Sequence, residues 1–251
     1  MARPEHISEE EWGARVELAA LYRLAAQAGW SDVIYTHITA RVPGQEDHFL
    51  INNFGVLFEN MRASDLVKID HEGNIVEPER AGEVKVNVAG FNIHSAVHMG
   101  RPDLHCVIHA HSPAGIAVSA QKDGLLPLSQ HAMMFYEAVG YHDYESFASR
   151  LDERERIKED LGNLDVMFLR NHGTLVCAPT VGQAYFKAHH LERACQAQLM
   201  AMAGGAELNY PDEAVARRTQ QRVAQMSPES IAFFWKSSLA MVAAEEHEYA
   251  S

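Results

Sequence analysis

Cysteine is scarce in this chain: Cys106, Cys177 and Cys195 are scattered through 251 residues with no C-x-x-C pair. So few thiols, so far apart, exclude a disulfide framework and a thiolate zinc site. Long apolar runs are absent too. No stretch of 18 apolar residues occurs, and the N-terminus, MARPEHISEEEW, has no apolar signal region, so a cytoplasmic protein without membrane contact is expected. Positive charge is the third shortage. Against 34 Asp and Glu stand 21 Lys and Arg, for a net charge of −13, which argues against nucleic acid and anionic membranes as partners. No Pro-, Gly- or Ser-rich linker, internal repeat or low-complexity tract divides the chain. One domain over 1–251 is expected, with a helical C-terminal extension from about 206.

What is present is a regular alternation of patterns. Ser8-Glu9-Glu10-Glu11 is a capping-box signature, and Trp12, Val16, Ala19, Ala20 and Leu24 then recur at helical spacing until Gly29. Residues 33–42 (VIYTHITARV) and 48–52 read as strands, and 66–69 with 74–76 as a hairpin about Asp70-His71-Glu72-Gly73. A helix over 87–99, a strand ending in His109-Ala110-His111 and a helix over 113–121 follow. Residues 124–150 read as mostly loop and 152–160 as a charged, solvated helix. A buried strand over 165–170, a return strand over 174–177 and a long helix over 180–202 come next. Two further helices begin near Pro211 and Pro228, with Phe233, Phe234 and Trp235 expected to pack. This order predicts an α/β fold with helices on both faces of a sheet.

Two of the 15 histidines, His109 and His111, stand two apart in a predicted strand. Alternate strand residues share a face, so the pair offers half a metal site. Asn171-His172-Gly173 sits where a buried strand meets a tight turn and offers a third ligand. Three protein ligands with open positions suit a catalytic rather than a structural metal. The plainer alternatives stay open: partly exposed strand histidines, and turn chemistry with Gly173 supplying a positive φ.

HAHSPAG (109–115), RPD (101–103) and LRNHG (169–173) together resemble the class II aldolase/adducin family, over roughly residues 12–205. GWSDVIYTHITARV (29–42), AGFNIHSA (89–96) and YHDY (141–144) are most similar to its adducin-like branch. The resemblance implies a three-layer α/β/α sandwich with a mostly antiparallel or mixed sheet. It also implies a small-molecule substrate and a ring-shaped homotetramer with active sites between subunits. One divalent metal ion per chain is implied, zinc first with Mn or Fe as alternatives, held by His109, His111 and His172.

The departures from the family pattern bear on chemistry. Sugar-phosphate aldolases of the family carry S-S-E-W, whose Glu is the acid/base, where this chain has Val88-Ala89-Gly90-Phe91. Their phosphate loop G-N-x-S becomes Thr36-His37-Ile38-Thr39, and their P-T-G turn becomes Asn53-Phe54-Gly55. Phosphate needs converging donors or cations. A non-phosphorylated, carboxylated or aromatic substrate is therefore expected against Asn53, Phe54, Gly55, Val88, Ala89 and Gly90. Without the Glu, aldol chemistry lacks a base, whereas decarboxylation of a chelated oxo- or hydroxy-acid needs only an acid. The candidates for that group are His37, Glu83, His94, His131 and Tyr141. His94 could instead pair with His98 one helical turn on, and His142, His189 and His190 read as structural or exposed.

The expected function is a metal-dependent carbon–carbon lyase, a decarboxylase or an aldolase. A non-catalytic adducin-like scaffold, which would share the glycine at position 90, is one alternative. A mononuclear iron oxygenase is another, because three histidines hold Fe(II) as readily as Zn or Mn.

Overall fold

A computed structural model describes residues 3–77, 80, 82–146 and 151–251, with the side chains of Val88 and Ala89 also outside the description. Ser8 opens the first helix, α1 (Glu9–Gln27), its side chain accepting the Glu11 amide. The capping box is only half made. The Glu11 carboxylate turns away to accept from Arg15 and Lys68 in a buried ion network that also holds Glu77.

Three antiparallel strands follow: β1 (His37–Val42), β2 (Gln45–Asn52) and β3 (Leu66–Asp70). The strand expected from residue 33 starts at His37. Val33 has φ +52° and the Tyr35 amide donates to the Asp32 carbonyl, so 33–36 form a turn. The expected hairpin after β3 is reduced to a single Ile69–Ile75 bridge, because the Asp70 carboxylate accepts the Glu72 and Asn74 amides and tightens the loop.

Then come α2 (Val88–Gly100), β4 (Cys106–Ala110), α3 (Pro113–Ser119), α4 (Gln130–Met133) and β5 (Gly140–His142). After them lie α5 (Glu153–Leu161), β6 (Val166–Leu169), β7 (Gly173–Ala178) and α6 (Val181–Ala203). The chain closes with α7 (Glu213–Ala224), α8 (Pro228–Leu239) and the short α9 (Glu246–Tyr249). The stretch expected to be loop thus holds a helical turn and an edge strand, and its residues 147–150 lie outside the described residues.

The seven strands form one sheet in the order β3-β2-β1-β4-β7-β6-β5, antiparallel throughout except for the β5–β6 pair. Strand alternation sends Cys106, Ile108 and Ala110 into a core with α1, α3, α6 and α8. Val107 faces the other way, into a second core with Ile93 and Val97 of α2 and Ile157 and Leu161 of α5. The sheet is mixed and covered on both faces, as expected. Helix α5 is not the fully solvated helix its charges suggested, since Ile157 and Leu161 anchor one face. In α8, Trp235 is buried and donates its indole N–H to Glu17, but Phe233 is 75% exposed and does not pack. No helix among the described residues is long and apolar enough to cross a membrane.

Candidate metal centre

Three histidines converge at one end of the central strands. His109 is the penultimate residue of β4, and His111 follows it directly, fixed because Ser112 starts α3 at once. The Ser112 hydroxyl accepts the Gly115 amide and donates to Glu192. His172 comes from the β6–β7 turn, where Asn171 takes φ +57°, a conformation that Asn tolerates better than most residues. Gly173 is needed there for contact rather than for φ: a Cβ would stand 2.4 Å from the Ala110 carbonyl oxygen.

The His111 Nε2 lies 3.0 Å from the His109 Nε2 and 2.9 Å from the His172 Nε2. The remote nitrogens of two rings are committed outward. His109 Nδ1 is 3.0 Å from the Thr174 carbonyl, and His111 Nδ1 is 3.0 Å from the Asp32 carboxylate. Each must donate there, so His109 and His111 turn bare lone pairs toward each other. Burial, then the neighbouring His111 and His142, pushes His172 down to about 4, and burial holds His109 well below the ordinary range. Neutral imidazoles facing lone pair to lone pair repel unless a cation sits among them. Nitrogens each about 2.1 Å from one ion stand about 3.0 Å apart at right angles and about 3.4 Å apart at the tetrahedral angle. The donor set fits a divalent metal.

His37 stands beside this triad. It is the register partner of His109 across β1 and β4, and their ring centroids are 5.0 Å apart. Its imidazole occupies the space that a side chain at position 90 would need. A Cβ on Gly90 would lie 2.4 Å from His37 Cδ2 and 2.6 Å from Nε2. Behind His37 the strand and helix periods mesh. Residues 37 and 39 share a face of β1, while residues 90, 94 and 98 share a face of α2. His37 Nδ1 lies 2.8 Å from His94 Nε2, the Thr39 hydroxyl 2.6 Å from His94 Nδ1, and the same hydroxyl 2.8 Å from His98 Nε2. The expected pairing of His94 with His98 is therefore bridged by Thr39. His98 also stacks on Phe49, with ring centroids 4.7 Å apart.

The sequence profile of the class II aldolase and adducin N-terminal domain matches residues 16–199. This chain belongs to that family. A Caulobacter vibrioides protein provisionally named a class 2 aldolase is 53% identical over 79% of this chain and 76% of its own length. Alpha-adducin of Rattus norvegicus is 45% identical over 76% of this chain, which there spans only 26% of the longer protein. Among solved structures, an aldolase II superfamily protein from Pseudomonas syringae superposes with a TM-score of 0.93 at 45% identity, covering 98% of both chains. L-fuculose 1-phosphate aldolase from Glaciozyma antarctica gives 0.84 at 27% identity, over 98% of this chain and 96% of that one.

Within this class II aldolase/adducin fold the remaining candidates disperse. Glu83 is exposed in the segment before α2. His131, on α4, stacks on His190 of α6 with centroids 5.4 Å apart. Tyr141 is held within the subunit: its hydroxyl accepts the Leu125 amide, and the Arg170 guanidinium lies 4.2 Å over its ring. Asn53 and Phe54 pin the segment leading to α2 through the Lys85 amide and carbonyl, and Gly55 takes φ +109° beside them. Val88 and Ala89 begin α2, and their side chains lie outside the described residues.

Several residues in the site were not singled out by sequence. Asp32 orients His111, Thr39 links two histidines, and Tyr144, 50% exposed, brings its ring within 6.3 Å of His172. All three lie inside segments that carried the family resemblance, but only contacts across the fold give them roles.

Proposed function

We propose that this chain is a divalent-metal-dependent carbon–carbon lyase for a non-phosphorylated oxo- or hydroxy-acid, acting by decarboxylation or retro-aldol cleavage. The observation that carries the reading is the convergence of three imidazole nitrogens, two with outward-committed protons, beside a ring that fills the space of the family's acid/base Glu. A bound divalent ion, zinc first with Mn or Fe as alternatives, would polarise chelated substrate oxygens and stabilise negative charge as it develops there.

The chain's own residues do the rest. The Thr174 carbonyl and the Asp32 carboxylate fix the orientation and tautomer of His109 and His111, as partners behind a metal ligand do. His37 faces the site where a proton-accepting carboxylate would otherwise reach it. The exposed ring of Tyr144, 6.3 Å from that of His172, suits a substrate with an apolar or aromatic body. A homotetramer with sites between subunits belongs to the same proposal, and the mass in solution tests it.

Elemental analysis of purified protein, beside a His109→Ala, His111→Ala variant, is the deciding measurement. Near-stoichiometric metal that disappears in the variant, with CO₂ or aldehyde released from a panel of oxo- and hydroxy-acids, is the expected result. Oxygen uptake with Fe(II) and a hydroxyarene, in place of acid cleavage, would replace the lyase by an oxygenase. The likeness to alpha-adducin favours a second reading, a binding or scaffold protein. Failure to bind Zn, Mn or Fe on reconstitution would leave that reading standing.

A further inference from the structure

The four groups running back from the site, His37, His94, Thr39 and His98, are 3%, 0%, 0% and 1% exposed. Their three contacts leave little freedom for the protons. A neutral imidazole carries one N–H and one lone pair, and a hydroxyl has one proton to give. Thr39 can therefore donate to His94 or to His98, not to both. If Thr39 donates to His98, His94 must donate from Nδ1 and accept at Nε2 from His37 Nδ1. All three rings then carry their protons on Nδ1. If Thr39 donates to His94, His98 must donate to Thr39 from Nε2, and His94 Nε2 must donate to His37 Nδ1. All three rings then carry their protons on Nε2. A third arrangement, in which His94 and His98 both donate to Thr39 and His37 donates to His94, also makes all three bonds. It leaves the buried Thr39 hydroxyl proton with no acceptor, since the two rings are its only side-chain contacts among the described residues.

The far end of the chain separates the first two. His98 Nδ1 is buried and has no partner among the described residues. The first arrangement leaves an N–H unpaired there, and the second leaves only a lone pair. Orphaned buried donors are the rarer and costlier case.

We infer that the second arrangement holds, and that His98, Thr39 and His94 fix His37 as a neutral imidazole whose Nε2–H is a standing hydrogen-bond donor to an oxygen of the substrate's acid group. Burial supports neutral rings behind His37, since it holds His94 and His98 well below the ordinary histidine range. The position vacated by the carboxylate thus presents the opposite polarity. A neutral N–H cannot take a proton from carbon, but it stabilises charge growing on oxygen without reorganising. Substrates with an acceptor oxygen at that point, such as 2-oxo-acids, are selected, and those that need a base are not. His37 is the catalytic residue in this inference. His94, Thr39 and His98 are positioning residues.

The inference deepens the lyase reading and rests on it for the substrate, but not for the tautomers, so the two can fail separately. Long-range ¹H–¹⁵N correlation spectra of the zinc-loaded, ¹⁵N-histidine-labelled protein at neutral pH read each ring directly. Nε2–H on His37, His94 and His98 together is expected. Nδ1–H on all three, or a mixture of tautomers, would overturn the inference whatever the enzyme's activity. Thr39→Val, which keeps shape and removes the hydroxyl, should uncouple His37 and weaken oxalate binding to the zinc-loaded protein by about tenfold, with zinc content unchanged. Thr39→Ser should restore both. A His37 tautomer and an oxalate affinity indifferent to Thr39→Val would also overturn it.

Discussion

Two sets of histidines stand side by side in this molecule and differ in how their nitrogens meet. In the rim set, His109, His111 and His172 meet Nε2 to Nε2, and two of their protons are directed outward to a carbonyl and a carboxylate. In the buried set, His37, His94 and His98 meet in series, donor to acceptor, with Thr39 as a link. One geometry turns the nitrogens of His109 and His111 lone pair to lone pair, an arrangement that suits a cation between them. The other satisfies its inner nitrogens in series and leaves only its ends, His37 Nε2 and His98 Nδ1, without a partner in the series. Residue type alone separates them no better than it separates any two histidines; what separates them is which nitrogen faces which.

The sharpest way to break the comparison is to remove one member of each set. His172→Ala should abolish stable metal binding, with elemental analysis falling from near one ion per chain to background. His98→Gln, in the buried set, should leave metal content near one. Loss of metal in both would merge the two sets into one.

Acid should act on both sets in the metal-free protein. Unfolded histidines titrate near 6.5, while the folded value of His172 is about 4 and those of His37, His94, His98 and His109 are pushed well down by burial. These are depressed basic groups. Between the folded and unfolded values the unfolded chain binds protons that the folded chain refuses, so stability falls as pH falls from about 6.5 toward 4. Each such histidine contributes a slope approaching about 1.4 kcal/mol per pH unit in that window. Urea denaturation at a series of pH values reads the sum, and a flat profile from pH 7 to 5 would contradict the neutral state of these five histidines.

A smaller effect tests the boundary between the sets. Gly90→Ala places a Cβ 2.4 Å from His37 Cδ2, so α2 or the imidazole must shift. A cost of about 1–3 kcal/mol in urea unfolding is expected, as for other overpacked cores. In a His37→Ala background the same change should cost far less, because the two positions compete for one space.

That competition also marks how far the sequence could be read. The triad was legible because its signal is local: two histidines on one strand face, and a third before a glycine at a strand turn. The layered fold was legible from the alternation of helical and strand periods. The role of Gly90 was legible only as a loss, the missing Glu. That His37 fills the space depends on the β1–β4 register and on α2 crossing that face, which no spacing within either segment specifies. Tyr141 and Tyr144 show the same limit. They lie three residues apart, but only the tertiary contacts hold the first under Arg170 and bring the second toward His172. Phe233 reads as core in the sequence because an apolar residue near Trp235 looks like core until the helix phase is known, and the phase of α8 leaves it exposed.

Asp32 gives the finest test, because it touches the rim set without belonging to it. Its carboxylate is 52% exposed and accepts from His111 Nδ1 at 3.0 Å. If the outward proton of His111 is what turns its Nε2 inward as a lone pair, Asp32→Ala should loosen that choice while all three ligands remain. Metal affinity should fall by about 10–100-fold, the usual consequence of removing a partner behind a metal-ligating histidine. Competition with a chromophoric chelator measures it. Asp32→Asn should do nearly as much harm if its amide turns a donor toward His111, since two donors cannot share that contact. An affinity unchanged in both variants would mean that the Thr174 carbonyl and the packing of β4 orient the site unaided, and that the Asp32 contact is a surface ion pair of small consequence.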